Sequence, residues 1–295
     1  MGIGLLAGVE AALASADDDR YPAPGTFIEV DGSSVHLDCR GTGSPTVLFE
    51  AGLGEPSLTW SMVAGSVAES TRVCSYDRPG YGWSDARGGA RDAAAQAGRL
   101  TKLLSRAGES GPFVIVAHSY GSLIARIFAA DNPDLVSAML LVEPTNEKSA
   151  AVDGAAAVPA LISRAQALIG RLSLTRPFAA RIAEDSVGAP LPAAVRSRAT
   201  FLYRAQALET AAAELDESAL SARQASEATL SEDLQVSILL DAAATDDDRA
   251  HFAAMTADTD VELMAGGHYL HYADPARISD RILVLVAEER AVAAP

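Results

Sequence analysis

Short apolar runs alternate with longer stretches of helical spacing along most of the chain. FIEV at 27–30 and SSVHLDCRG at 33–41 flank Asp31-Gly32, the pattern of two strands joined by a hairpin turn. TVLFE (46–50), RVCSYD (72–77), FVIVA (113–117), VSAMLLVE (136–143), LQVSILL (234–240) and DVELM (260–264) predict further strands. Helical patterns lie between them: a stretch near 58–68, ARDAAAQAGRLTKLLSRAG ending at Gly108, LIARIFAADN ending before Pro133, DDDRAHFAAM, and PARISDRILVLVAEE as the closing helix. Short buried strands alternating with helices predict an α/β fold, a mostly parallel sheet covered on both faces.

Residues ~145–230 break this alternation. ALISRAQALIGRL (160–172), PFAARIAEDS (177–186) and PAAVRSRATFLYRAQALETAAAEL (192–215) are all spaced as helices. The expected organisation is an N-terminal tail over 1–20, a core over 21–144 and 231–295, and a helical cap over 145–230. An insertion of this kind would stand at the carboxyl ends of the strands, where open α/β sheets bind ligands. Leu168 and Phe201 are candidates for its pocket wall. The alternative is an appendage on the sheet's flank.

Charge and cysteine content narrow the classes of partner. Twenty-three basic against 39 acidic side chains give a net charge of −16, which repels phosphate backbones and argues against nucleic acid. Two cysteines exclude a disulfide-dense scaffold and a cysteine-based zinc site. MGIGLLAGVEAALASA at 1–16 is shorter than the ~20 apolar residues of a bilayer span, and Glu10 interrupts it. It reads as an amphipathic helix or frayed tail, or else as the end of an anchor or export signal. The latter is the one route to membrane contact, so the location is either cytoplasmic or membrane-associated and exported.

The candidate chemistry centres on Ala117-His118-Ser119-Tyr120-Gly121, between a buried strand and a helix. A sharp strand-to-helix turn exposes a serine oxygen above the sheet, and the following helix N-terminus favours developing negative charge. Such a nucleophile needs a base. His268, in Ala265-Gly266-Gly267-His268-Tyr269 after the last strand, is the best placed. His36 sits in the early hairpin, His118 reads as a packed core histidine and His251 lies on a surface helix. His268 and His271 lack the carboxylate or cysteine spacing of a metal site, and no cofactor is implied. The oxyanion needs two aligned amides. Tyr120 supplies one, and the glycine-rich loop after TVLFE is the source of the other.

Taken together, Gly52, Gly54 and Trp60, then YDRPGYGWSD (76–85), AHSYG (117–121) and GGHYLHYADP (266–275) resemble the α/β-hydrolase family, in that family's order and from about residue 21 onward. The resemblance implies that Leu53 gives the second oxyanion amide. It departs from the usual pattern at Ala51, where many members carry His, and at Ala117, where the pentapeptide normally begins with Gly. YPAPG, SPTVLFEAGLG and TRVCSYDRPGYGWSD are similar to a bacterial subgroup, some members of which carry a hydrophobic segment just before the first motif. The family's sheet order makes the Cys39 and Cys74 strands neighbours, leaving a cross-strand disulfide and two buried thiols both open. In Asp77-Arg78-Pro79-Gly80-Tyr81-Gly82, Asp77 and Arg78 read as ties between loops rather than as substrate contacts.

The triad acid is the least determined member. Most family members place it after the strand that ends here at Asp241, followed by Asp246, Asp247 and Asp248; a minority place it where Glu143 stands. Thr245 and the three aspartates also read as a helix cap. Glu143 is the preferred acid, with Asp246 next and Asp241, Asp247 and Asp248 behind. The expected function is a serine hydrolase cleaving small or medium apolar esters through an acyl-enzyme. An acyltransferase or a carbon–carbon bond hydrolase on the same triad, and a binding protein without turnover, are the alternatives. Epoxide hydrolases and haloalkane dehalogenases of this fold use an aspartate nucleophile, which Ser119 is not.

Overall fold

A computed structural model describes residues 2–86, 89–151, 156–171, 174, 176–181, 184, 191, 193–199 and 204–292. Eight strands form one sheet: β1 (Thr26–Val30), β2 (Ser33–Arg40), β3 (Thr46–Glu50), β4 (Val73–Tyr76), β5 (Phe113–His118), β6 (Val136–Val142), β7 (Gln235–Asp241) and β8 (Thr259–Met264). Their spatial order is β1-β2-β4-β3-β5-β6-β7-β8. The hairpin β1–β2 is antiparallel and joins β4 antiparallel, while every later pair is parallel. β3, β5 and β6 are almost wholly buried because helices cover both of their faces.

Two apolar clusters lie on opposite faces. On one, α3 (Ala93–Ala107) and α4 (Gly121–Asp131) bring Leu100, Leu104, Leu123 and Phe128 onto Ile115, Met139 and Leu141. On the other, α2 (Ser61–Val67) and the closing helix Pro275–Val292 bring Val63, Val67, Ile282 and Leu285 onto Val47, Val114 and Leu140. Alternate residues of one strand thus enter opposite layers, as the pleat requires.

Between β6 and β7 the described residues are helical or irregular, and none is in a strand. The helical pieces include Glu147–Ala150, Ala157–Gly170, Ala193–Arg196, Ala205–Asp216 and Ser218–Glu227. The continuous helix expected over 192–215 is instead divided, with Ala193–Arg196 and Ala205–Asp216 as separate pieces. Helix 205–216 lies over the glycine-rich loop: Ala207 and Ala211 pack with Tyr81 and Leu53. Helix 218–227 lies on the flank, where Ala222 and Ala225 join the α3–α4 layer. It also completes α3, because the Ala93 and Ala94 amides donate to Ser221 Oγ at 2.9 Å and Gln224 Oε1 at 3.0 Å. The insertion is therefore shared between the loop end of the sheet and its side. Leu168 is 62% exposed, and Phe201 lies outside the described residues.

Residues Gly2–Arg20 form a helix, α1, rather than a frayed tail. Arg176 holds it through Glu10 at 2.9 Å and Asp17 at 2.6 Å, and Arg204 through Asp18 at 2.7 Å. Glu10, which interrupts the apolar run, and the two aspartates after it tie the helix to the segment between β6 and β7. Among the described residues no helix is long and apolar enough to cross a membrane.

Cys39 and Cys74 face one another across the β2–β4 pair and form a disulfide, which settles the choice left open by the sequence. The bridge closes a loop with a sequence separation of 35, so its main effect is to restrict the unfolded chain. The double variant Cys39→Ser/Cys74→Ser should lose roughly 2–4 kcal/mol of stability. Urea unfolding followed by circular dichroism checks this; an unchanged midpoint at unchanged slope would contradict it.

Candidate active site

The carboxyl ends of β5, β6, β7 and β8 bring the site together. β5 ends at His118 and α4 begins at Gly121, so Ser119 must turn the chain from strand to helix within one residue. It does so with φ of 48°, in the left-handed region that non-glycine residues rarely occupy. Gly121 makes the close approach possible: a Cβ there would lie 2.5 Å from the Ala51 carbonyl oxygen. Ala117, in place of the usual glycine, is fully buried and accommodated in β5.

His268 reaches Ser119 from the loop after β8, with Nε2 at 2.9 Å from Ser119 Oγ. Its Nδ1 is 3.3 Å from Glu143 Oε2. Glu143 follows β6 directly and has φ of 46°, a second left-handed residue beside the first. Its other oxygen accepts the Asp241 amide, which fixes the carboxylate at the mouth of the sheet. The three sequence candidates are thus one hydrogen-bonded row, open to solvent on the histidine side, where the His268 side chain is 48% exposed.

The other acids have different partners. Asp241 accepts from Ala243 N–H at 2.9 Å, Gly266 N–H at 3.1 Å and Gly267 N–H at 2.7 Å. These amides hold its carboxyl below the ordinary range and turn it toward the loop that carries His268. Asp246 pairs with Arg249 in the first turn of helix 246–253 and points into solvent. Asp248 accepts from Thr245 and from Asn146 Nδ2 at 2.8 Å. Asp247 faces a groove behind that helix.

Tyr120 stands at the amino end of α4, where the first N–H groups have no partner within the helix. Leu53 lies in the loop after β3, the strand paired with β5, and packs against Tyr81 and against the apolar layer that includes Tyr120. The side-chain cluster beneath this loop was not legible beforehand. Glu55, buried, accepts the Gly52 amide at 3.1 Å and lies 2.9 Å from His118 Nδ1. His118 Nε2 in turn lies 2.9 Å from the His268 carbonyl oxygen. One buried pair therefore links the glycine-rich loop, the residue before Ser119 and the backbone of His268. An acid inside an otherwise apolar loop was the available signal. Glu55, His118 and His271 place ligand atoms within 4.8 Å of one another, a spacing short enough for a metal ion. Of the His118 nitrogens, Nε2 has a hydrogen-bond partner in the His268 carbonyl, while Nδ1 is held by the charge of Glu55 without an aligned hydrogen bond.

Burial opposes charge on both members of this pair, and their mutual attraction prevails. The Glu55 carboxyl is brought down to about 2 by the His118 charge, and His118 is raised above 6.5 by Glu55. His271, buried beside the His118 charge, is pushed down to about 3 and stays neutral. A lowered acid stabilises the fold above its unfolded value of 4.5, and this is lost as pH falls toward about 2. A raised histidine stabilises it below 6.5, and this is lost as pH rises through the folded value. The pair therefore contributes most between 4.5 and 6.5. Glu55→Gln should cost roughly 3–5 kcal/mol near the middle of that window and flatten the acid limb of the stability curve. Chemical denaturation across pH measures both; an unaltered acid limb would contradict the pairing.

Residues 47–281 match the model of the alpha/beta hydrolase family. An uncharacterized protein of Bacillus subtilis, YqjL, is 34% identical over 116 residues, which is 39% of this chain and 46% of that protein. The chain thus spans less than half the length of that curated relative. Among solved structures, epoxide hydrolase CorEH superposes with a TM-score of 0.73 at 18% identity, covering 89% of this chain and 98% of the other. Cfl2 from Burkholderia cenocepacia gives 0.71 at 19%, covering 88% and 94%. Identities this low speak for the fold alone, but the family match covers most of the chain and meets the strand order and the Ser119 turn described above. The chain belongs to the alpha/beta hydrolase family.

Proposed function

We propose that the protein is a serine hydrolase that cleaves small or medium apolar esters through an acyl-enzyme. The observation that carries this reading is the row Ser119 Oγ–His268 Nε2, 2.9 Å, and His268 Nδ1–Glu143 Oε2, 3.3 Å. His268 takes the Ser119 proton as the oxygen attacks the ester carbonyl. Glu143 holds the imidazole in the needed tautomer and stabilises its cation. The amides of Leu53 and Tyr120 receive the oxyanion. His268 then protonates the leaving alkoxide, and a water activated by the same base releases the acid.

Ester cleavage is favoured over epoxide opening by the identity of the nucleophile. Attack by serine on an epoxide would leave an alkyl ether with no carbonyl for water to attack. Attack on an ester leaves an acyl group that water can remove. The apolar contact of Leu53 with Tyr81, Ala207 and Ala211 supports an apolar acyl group beside the loop. The net charge of −16 supports a small-molecule substrate and no nucleic acid. The disulfide supports an oxidising compartment, and with it export or membrane association.

Ser119→Ala and His268→Ala should each lower turnover of p-nitrophenyl esters by ~10⁴-fold or more with the fold retained. A fluorophosphonate probe should label the wild-type protein at Ser119. Activity surviving in folded Ser119→Ala would falsify the mechanism. The acid is tested by two nearly isosteric changes. Glu143→Gln should reduce kcat by several orders of magnitude, by about 10³–10⁴-fold, whereas Asp246→Asn should leave it nearly unchanged. The reverse outcome would move the acid to the β7 side.

A further inference from the structure

Arg78 is 2% exposed, and its guanidinium uses all five of its N–H groups on protein acceptors. Nη1 donates to Glu50 Oε1 at 2.7 Å and to the Ala51 carbonyl at 2.6 Å. Nη2 donates to the Gly52 carbonyl at 2.8 Å and to Glu214 Oε2 at 3.1 Å, and Nε to Glu214 Oε1 at 2.9 Å. Glu50 ends β3, and Ala51 and Gly52 begin the loop after it. Glu214 comes from the insertion, on helix 205–216.

The Gly52 carbonyl belongs to the same peptide unit as the Leu53 amide. That unit is trans, so its C=O and N–H point in opposite directions. Anchoring the oxygen on Arg78 therefore aims the Leu53 N–H away from Arg78. Arg78 is in turn oriented by the bidentate Glu214 pair, a fork-to-fork match that a lysine could not reproduce. Glu214 is itself fixed by Tyr81 Oη at 2.8 Å and Gln96 Nε2 at 3.2 Å. Tyr81 Oη also accepts the Gly54 amide at 3.2 Å, a second tie to the same loop. The helix presses close on this turn: a Cβ at Gly80 would lie 2.0 Å from Thr210 Oγ1.

We propose that Glu214 and Arg78 are positioning residues for the oxyanion amide of Leu53, so that docking of helix 205–216 and assembly of the oxyanion hole are one event. The inference rests on the serine-hydrolase reading. It adds that the insertion, besides covering the loop, sets the direction of a donor on the core. Neither side chain touches substrate; each acts through the Gly52–Leu53 peptide.

The test compares Glu214→Gln and Tyr81→Phe with the wild type, on a p-nitrophenyl ester and on its thionoester. Sulfur accepts hydrogen bonds poorly, so an intact oxyanion hole favours the oxygen ester. Glu214→Gln should lower kcat for the oxygen ester by roughly 10²-fold, with KM changed less than about threefold, and should compress the ester-to-thionoester rate ratio. Tyr81→Phe, the milder change, should move both quantities in the same direction by about tenfold or less. A purely structural role would lower the melting temperature and leave the ratio per folded molecule untouched. That result in either folded variant overturns the coupling, and Tyr81→Phe decides the matter if Glu214→Gln does not fold. A wild-type protein that neither hydrolyses the ester nor reacts with a fluorophosphonate at Ser119 would overturn the hydrolase reading, and the coupling with it.

Discussion

The buried guanidinium of Arg78 is the constraint on which this molecule's upper end depends. A cation with no access to water must find acceptors for every N–H it carries, and few arrangements provide five. Here they come from the end of β3, the loop behind it and a helix more than a hundred residues away in the chain. Removing any one source would leave a buried donor unpaired, so the three parts hold each other in a single relative position. Burial works against charge on Glu50, whose carboxyl is raised despite Arg78 and Tyr76 beside it. The same surroundings keep Tyr76 and Tyr81 protonated, as donors to the two carboxylates.

Next to this block stand two of the three described non-glycine residues with positive φ, the third being Asp31 in the β1–β2 turn. Ser119 and Glu143 both adopt left-handed conformations that cost of order 1 kcal/mol or more each. Adjacent parallel strands bring them together, and main-chain bonds keep them there: Ser119 N–H donates to the Val142 carbonyl, and Glu143 N–H to that of Leu239. Three successive strands are thereby stitched at their carboxyl ends. On the far side, Asp241 grips Gly266 and Gly267 and so sets the path of the loop on which His268 sits. His118 and Glu55 hold the same loop from below through the His268 carbonyl. The residue hydrogen-bonded to Ser119 is thus exposed at its side chain yet anchored from two directions at its backbone.

Much of this was written in local pattern. Apolar runs bounded by turn residues identify all eight strands; burial on both faces makes β3, β5 and β6 nearly continuous in apolar residues, whereas β1 and β8, at the two edges of the sheet, are largely open to solvent. Ser119 and His268 stand out as candidates from their neighbours alone, since a strand–Ser–x–Gly–helix turn and a Gly-Gly-His loop make local demands that few residues meet, and the fold brings the two within hydrogen-bond distance. Local pattern could not say which acid meets His268. Glu143 and Asp241 both end strands at the same edge, and only the three glycine-loop and alanine amides around Asp241 turn its carboxylate elsewhere. Nor could it show that Glu55 pairs with His118 or that Glu214 completes the cage around Arg78. The helix expected over 192–215 is not continuous either: its helical spacing runs on through residues 197–198, where the chain turns, and 204, which is not helical. Periodicity reports what one segment needs to bury; a buried charge is explained only by partners that are distant in sequence, and folding alone brings those together.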